Sequence, residues 1–161
     1  MTGPGYDLLV VAHVLSAVIG FGAVAVTGSY AGRARSASQP RREERIVRYF
    51  QPGTNWAERC LLLTPLLGGL VLGVGDRPAA SQPWPWIGLG CWVVAAGIAS
   101  ARCWPAERRV QAWLAHEATA FDEEPVGLDG FKKACRAVEL GSLGVSLCFL
   151  AAVVVMIWQP T

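Results

Sequence analysis

His13 is the ionisable side chain set deepest inside an apolar run of this chain. It follows Asp7 closely enough to lie only ~9 Å from that charge along a helix rising 1.5 Å per residue. An imidazole in such a place could ligate haem or copper, relay a proton, or hydrogen-bond to a neighbouring helix. A bis-histidine haem needs a second axial histidine, and the other one, His116, falls in a distant polar segment. Met156 could approach His13 if the last apolar segment ran beside the first. Cys60, Cys103 and Cys135 could meet at one boundary of the apolar segments, but none of the five cysteines sits in a CxxC pair of the zinc-binding kind. Glu58, Arg59, Arg136 and Glu139 collect at that same boundary, which predicts ion pairs between the second and fourth segments. Acyl-transfer chemistry would need Ser, His and Asp on one side, and the two histidines fall on opposite sides. No glycine-rich phosphate loop follows a strand. The expectation is a chain with no active site, cofactor or metal centre of its own, with His13 kept as a functional candidate.

Four apolar segments would position these residues: approximately Leu8–Ala31, Trp56–Val74, Trp84–Ala101 and Val138–Trp158. Each is long enough to cross ~30 Å of hydrocarbon as a helix. The composition agrees, being 53% hydrophobic and only 16% charged, where an ordinary soluble domain carries about 25% charge. Pro65, followed by Gly68 and Gly69, predicts a kink in the second segment. Trp84, Trp86, Trp104 and Trp158 stand at segment ends, where indoles favour the headgroup belts. The prediction is an all-α, integral membrane four-helix bundle forming a single transmembrane domain over residues 1–161. The first segment lacks a basic n-region and a cleavage site, so it reads as a span and not as a signal peptide.

Charge sets the orientation. Thirteen of the fourteen Lys and Arg residues lie in or beside two connections, those between spans one and two and between spans three and four. Arg77 alone lies between spans two and three. Cytoplasmic loops keep Lys and Arg, so both termini are expected outside, with two basic loops inside a bacterial plasma membrane. On that map no cysteine falls in an outer loop, which argues against a disulfide framework. Nucleic acid is not an expected partner, because topology accounts for the arginines.

The first basic loop holds Arg41, Arg42, Arg45 and Arg48 on a short helical piece, and the second holds Arg108 and Arg109. These six are candidate contacts for an anionic lipid such as cardiolipin or for a subunit. In the second loop Val110, Trp113, Leu114 and Phe121 form one stripe, which predicts an interfacial helix over 106–121, lying in the headgroup plane or against a partner. The acidic run Asp122–Glu124 then breaks it. Small residues recur at helix-packing spacing: Ser16 with Gly20, Gly28 with Gly32, and Gly69 with Gly73. They serve either this chain's own bundle or a partner.

Taken together, Val11-Ala12-His13-Val14-Leu15 with Gly20-Phe21-Gly22, Thr64-Pro65 with Gly69, Pro105 with Arg108-Arg109, and Met156-Ile157-Trp158-Gln159-Pro160 resemble a family of small four-span bacterial membrane proteins of unassigned function. Gln159 departs from the lysine usual before that last proline. The Ala-, Arg-, Gly- and Val-rich usage is similar to that of actinobacterial chains, where a four-span protein of this kind resembles an accessory subunit of the cytochrome bcc–cytochrome c oxidase supercomplex. The resemblance implies a non-catalytic subunit without a redox centre, packed on oxidase core subunits and neighbouring supercomplex subunits. The alternative reading is a small transporter or a metal- or haem-handling protein centred on His13.

Overall fold

The computed structural model describes residues 3–75, 81–116 and 127–158. It is an all-α four-helix bundle, with no strand among the described residues. The elements are α1 (Pro4–Ser36), α2 (Glu44–Tyr49), α3 (Trp56–Arg59), α4 (Thr64–Val74), α5 (Pro83–Ile98), α6 (Trp104–His116) and α7 (Leu128–Trp158). Four continuous helical stretches are long and apolar enough to cross a membrane: Pro4–Ser36, Trp56–Val74, Pro83–Ala115 and Leu128–Trp158. The chain is therefore a multi-pass membrane protein.

Three of the four outrun the expected spans. α1 has 33 residues, about 50 Å of helix, where the hydrocarbon needs ~30 Å. α7 begins at Leu128, well before Val138. The added turns are rich in Ala and Arg, with Lys132 and Lys133 in α7; these types carry high helix propensity, and the turns bury an apolar stripe. Arg77 and the acidic run Asp122–Glu124 lie outside the described residues.

Two prolines shape two of the spans. Pro65 has no N–H, so an unbroken α-helix there would leave the Leu61 carbonyl without its donor. The chain answers with a 3-10 turn over Cys60–Leu62, in which the Leu63 N–H reaches the Cys60 carbonyl at 3.0 Å. α4 then restarts with Pro65 in its first turn, where a missing N–H is harmless. Pro105 is met differently. A π turn over Ala99–Cys103 joins α5 to α6, and the Trp104 N–H reaches back to the Ala99 carbonyl. The wider turn lets the helix pass the proline without ending.

The chain packs as two compact units, Met1–Val24 with Asn55–Gly97 and Val145–Thr161, and Ala25–Thr54 with Ile98–Gly144. In the first unit Phe21 stacks on Phe149 with ring centroids 4.6 Å apart, and few other side chains are fully buried. The second unit holds the main apolar core: Ala31 and Ala34 of α1, Ile46 and Phe50 at α2, Val110, Trp113 and Leu114 of α6, and Phe131, Ala134, Cys135 and Val138 of α7. The helix expected over 106–121 is present as α6, continuous with α5. Residues 104–116 continue the third span, and their stripe is consumed by this chain's own core. Burying each large apolar side chain there contributes roughly 1.5–3 kcal/mol. Residues 117–121 of that expected helix lie outside the described residues.

Candidate functional site

Two polar constellations stand out, one in each unit. The first surrounds His13. Its Nδ1 lies 2.9 Å from the Thr64 carbonyl oxygen. A carbonyl only accepts, so Nδ1 carries a proton and donates this bond. The ring lies over Gly68, where a β-carbon would come within 3.0 Å of Cε1. Ser16 is buried; its hydroxyl donates to the His13 carbonyl at 2.8 Å and lies 3.4 Å from the Thr64 hydroxyl. A backbone carbonyl and a glycine notch thus hold the pose of the imidazole, with the Ser16–Thr64 hydroxyl pair beside it. Met156 sets its terminal methyl against Gly88 of α5.

Further along span two, the Trp92 indole N–H donates to the Leu61 carbonyl at 2.8 Å. This is the carbonyl that Pro65 leaves without a helical donor. A neighbouring helix thereby satisfies a backbone group that hydrocarbon cannot.

The second constellation is basic. Arg41 lays its guanidinium 3.6 Å above the Trp113 ring and donates Nη2 to the Trp113 carbonyl at 3.0 Å. Phe131 stacks on Trp113 with centroids 4.0 Å apart. Burial pulls the Arg41 guanidinium below its usual pKa. Arg41, Arg42 and Arg48 line one groove of about 480 Å3 together with Glu44, Val47 and Gln51. Arg41 and Arg42 also border a smaller cavity of about 260 Å3, lined by Pro40, Trp113 and Leu128 among others. Arg45, Arg108 and Arg109 are exposed and line neither of these hollows. Six candidate arginines thus separate into three that converge and three that do not.

The small residues divide in the same way. Gly20 faces the backbone of Leu61 so closely that any β-carbon would overlap it, and Gly28 does the same with the Ser142 side chain. Gly32 leaves a β-carbon only 3.2 Å from the Glu139 carboxylate. Gly69 and Gly73 meet nothing within 4 Å. They share an open face of α4 with Leu66, Leu70 and Val74, each more than half exposed. Gly68, Gly88, Gly141 and Gly144 make close approaches that spacing alone does not flag. Cys103, for example, crowds Gly141, and Ile98 crowds Gly144.

Two of the four charged residues expected at the shared boundary of spans two and four, Glu139 and Glu58, are held by polar side chains. Glu139 is bound by Arg35 of α1, Nε to Oε2 at 3.0 Å, while Glu58 accepts from the Asn55 amide at 3.2 Å. Cys103 and Cys135 are buried and Cys60 is half-buried, all as free thiols. Among the described residues no group of three or more His, Cys, Asp and Glu is placed to hold a metal ion. Comparison with protein-family models, with curated proteins and with solved structures finds no match to this chain.

Proposed function

We propose that this protein is a non-catalytic accessory subunit of a respiratory assembly in a bacterial plasma membrane. The assembly is of the cytochrome bcc–cytochrome c oxidase type, and the subunit acts by packing on core subunits and seating lipid. The identity of the assembly rests on the sequence resemblance. The mode of action rests on one observation: the spans leave themselves largely uncovered. Only 17–22% of the residues in the most apolar windows of the four spans are buried. On α4 the Gly69–Gly73 pair lies open beside Leu66 and Leu70, a face where a second helix backbone could approach closely. Gly20, Gly28 and Gly32, by contrast, are used internally.

Mild detergent extraction with identification of co-purifying subunits tests this. Oxidase or cytochrome bcc subunits should accompany the chain, and the double substitution G69L/G73L should release them while the isolated chain melts as before. A chain that purifies alone from intact membranes would overturn the reading. So would a deletion that abolishes turnover yet leaves complex yield and stability unchanged.

A second reading draws on His13. A histidine whose Nδ1–H is held by a backbone carbonyl presents Nε2 as the nitrogen that a metal would take, the arrangement of a metal-ligating histidine. A haem band or stoichiometric metal in the purified assembly, lost on H13A, would favour it over the packing role.

A further inference from the structure

We infer that the groove lined by Arg41, Arg42 and Arg48 is a binding site for the phosphate headgroup of an anionic membrane lipid. Position is the first argument. α2 is bolted to the end of the first span. Ile46 and Phe50 are buried beside Ala31 and Ala34, the Tyr49 hydroxyl meets the Thr27 hydroxyl at 2.7 Å, and Tyr49 stacks on Tyr30 with centroids 4.1 Å apart. Thr27, Tyr30 and Ala31 form the last turn of the apolar run of α1, before Arg33 and Arg35. The groove is thus carried at the level where hydrocarbon gives way to headgroups.

Chemistry is the second argument. Three arginines line the groove with one acid, Glu44, together with Gln51 and the apolar Val47. Guanidinium matches phosphate oxygens in planar, two-pronged fashion. Arg41 is already fixed by the Trp113 ring and carbonyl, so its ordering is complete before a ligand arrives. Arg42 and Arg48 are exposed and supply the adjustable arms. The groove volume of about 480 Å3 is far more than a bare ion needs, and it suits a headgroup with its glycerol. Free phosphate shares the recognition chemistry, but it would gain nothing from the apolar Val47 or from the boundary position.

This inference rests on the lipid-seating part of the proposed function and not on the identity of the assembly. Binding is measured on the isolated full chain, and subunit association by co-purification, so each can fail alone. The chain in phosphatidylcholine nanodiscs or detergent is titrated with phosphatidylglycerol and with cardiolipin, and bound lipid is read by native mass spectrometry. R42Q/R48Q is compared with R108Q/R109Q, which removes the same charge elsewhere. At about fivefold per arginine near a charged lipid surface, R42Q/R48Q should weaken anionic-lipid binding about 30-fold. R108Q/R109Q, whose side chains line neither hollow, should lose only the diffuse attraction to the surface and bind clearly more tightly than R42Q/R48Q. Both doubles should melt like the parent in phosphatidylcholine, because all four side chains are exposed. Equal losses in the two doubles, or no preference over phosphatidylcholine, would overturn the site. Displacement of the lipid by inorganic phosphate at comparable concentration would instead assign the groove to the free anion and overturn the lipid.

Discussion

Replacing Trp92 by Phe should expose the debt that Pro65 leaves in the second span. The indole N–H is the donor to the Leu61 carbonyl, at 2.8 Å, and Leu61 is fully buried. Phe keeps an aromatic ring but no donor. Interhelical hydrogen bonds in membranes contribute on average ~0.6 kcal/mol and up to ~1.7. An orphaned buried carbonyl costs about 1–3 kcal/mol in proteins generally. The location inside a span, with no water to substitute, places the expected loss near ~1–1.5 kcal/mol, plus a smaller packing loss from the shorter ring. The decisive quantity is the coupling with Pro65. Pro65→Ala restores an N–H four residues after Leu61 and gives that carbonyl a helical donor. The hydrogen-bond part of the Trp92→Phe loss should then vanish, leaving only the packing part. Reversible unfolding in mixed micelles, run on the parent, both singles and the double, gives the coupling directly. A value of about 1 kcal/mol is expected. Additive effects, with Trp92→Phe as damaging in the Pro65→Ala background as in the parent, would refute the account of the indole as the proline's substitute donor.

Other outcomes follow from the same geometry. Gly28→Leu should strongly destabilise the chain because its side chain must displace Ser142, whereas Gly69→Ala should change the melting of the isolated chain by less than about 0.5 kcal/mol. Trp113→Ala removes the plate between Arg41 and Phe131 and should cost about 3–5 kcal/mol, read by chemical unfolding. Arg35→Gln should cost no more than about 0.5 kcal/mol, and the difference should fade with added salt, since both partners of the Arg35–Glu139 pair are more than a third exposed. Gly68→Ala should push the His13 ring off its notch, seen as a shifted imidazole resonance in spectra of the labelled protein.

What is legible in the sequence is what depends on local composition. The four apolar runs and the break at Pro65 need only hydropathy and a missing N–H. Gly20, Gly28 and Gly32 are flagged by spacing and do make close approaches. Gly69 and Gly73 carry the same spacing and face outward, because a period places residues on one face and does not say what that face meets. The amphipathic stripe of α6 is visible as well, but its destination is not. Trp113 is pinned by Arg41 from a loop 72 residues earlier and by Phe131 from another helix. Such pairings are decided by tertiary packing, on which sequence spacing is silent. The Arg35–Glu139 pair escapes for the same reason, being 104 residues apart.

The π turn at Ala99–Cys103 has the character of an inserted residue. Along this helix the buried apolar side chains run Ala95, Ala99, Cys103, Ala106 and Val110, with two successive steps of four before the usual mixture of three and four. In an unbroken α-helix two steps of four would swing the seam round by about 80°. The wider turn absorbs that drift, so Cys103 still falls on Gly141 of α7, and the stripe from Ala106 onward stays in line with Phe131 and Val138. Deleting one residue between 99 and 103 would turn Val110 and Trp113 out of the core, and replacing Pro105 alone would leave the phase intact. The third helix can be shortened or lengthened at its ends, but its middle tolerates only changes that preserve the count.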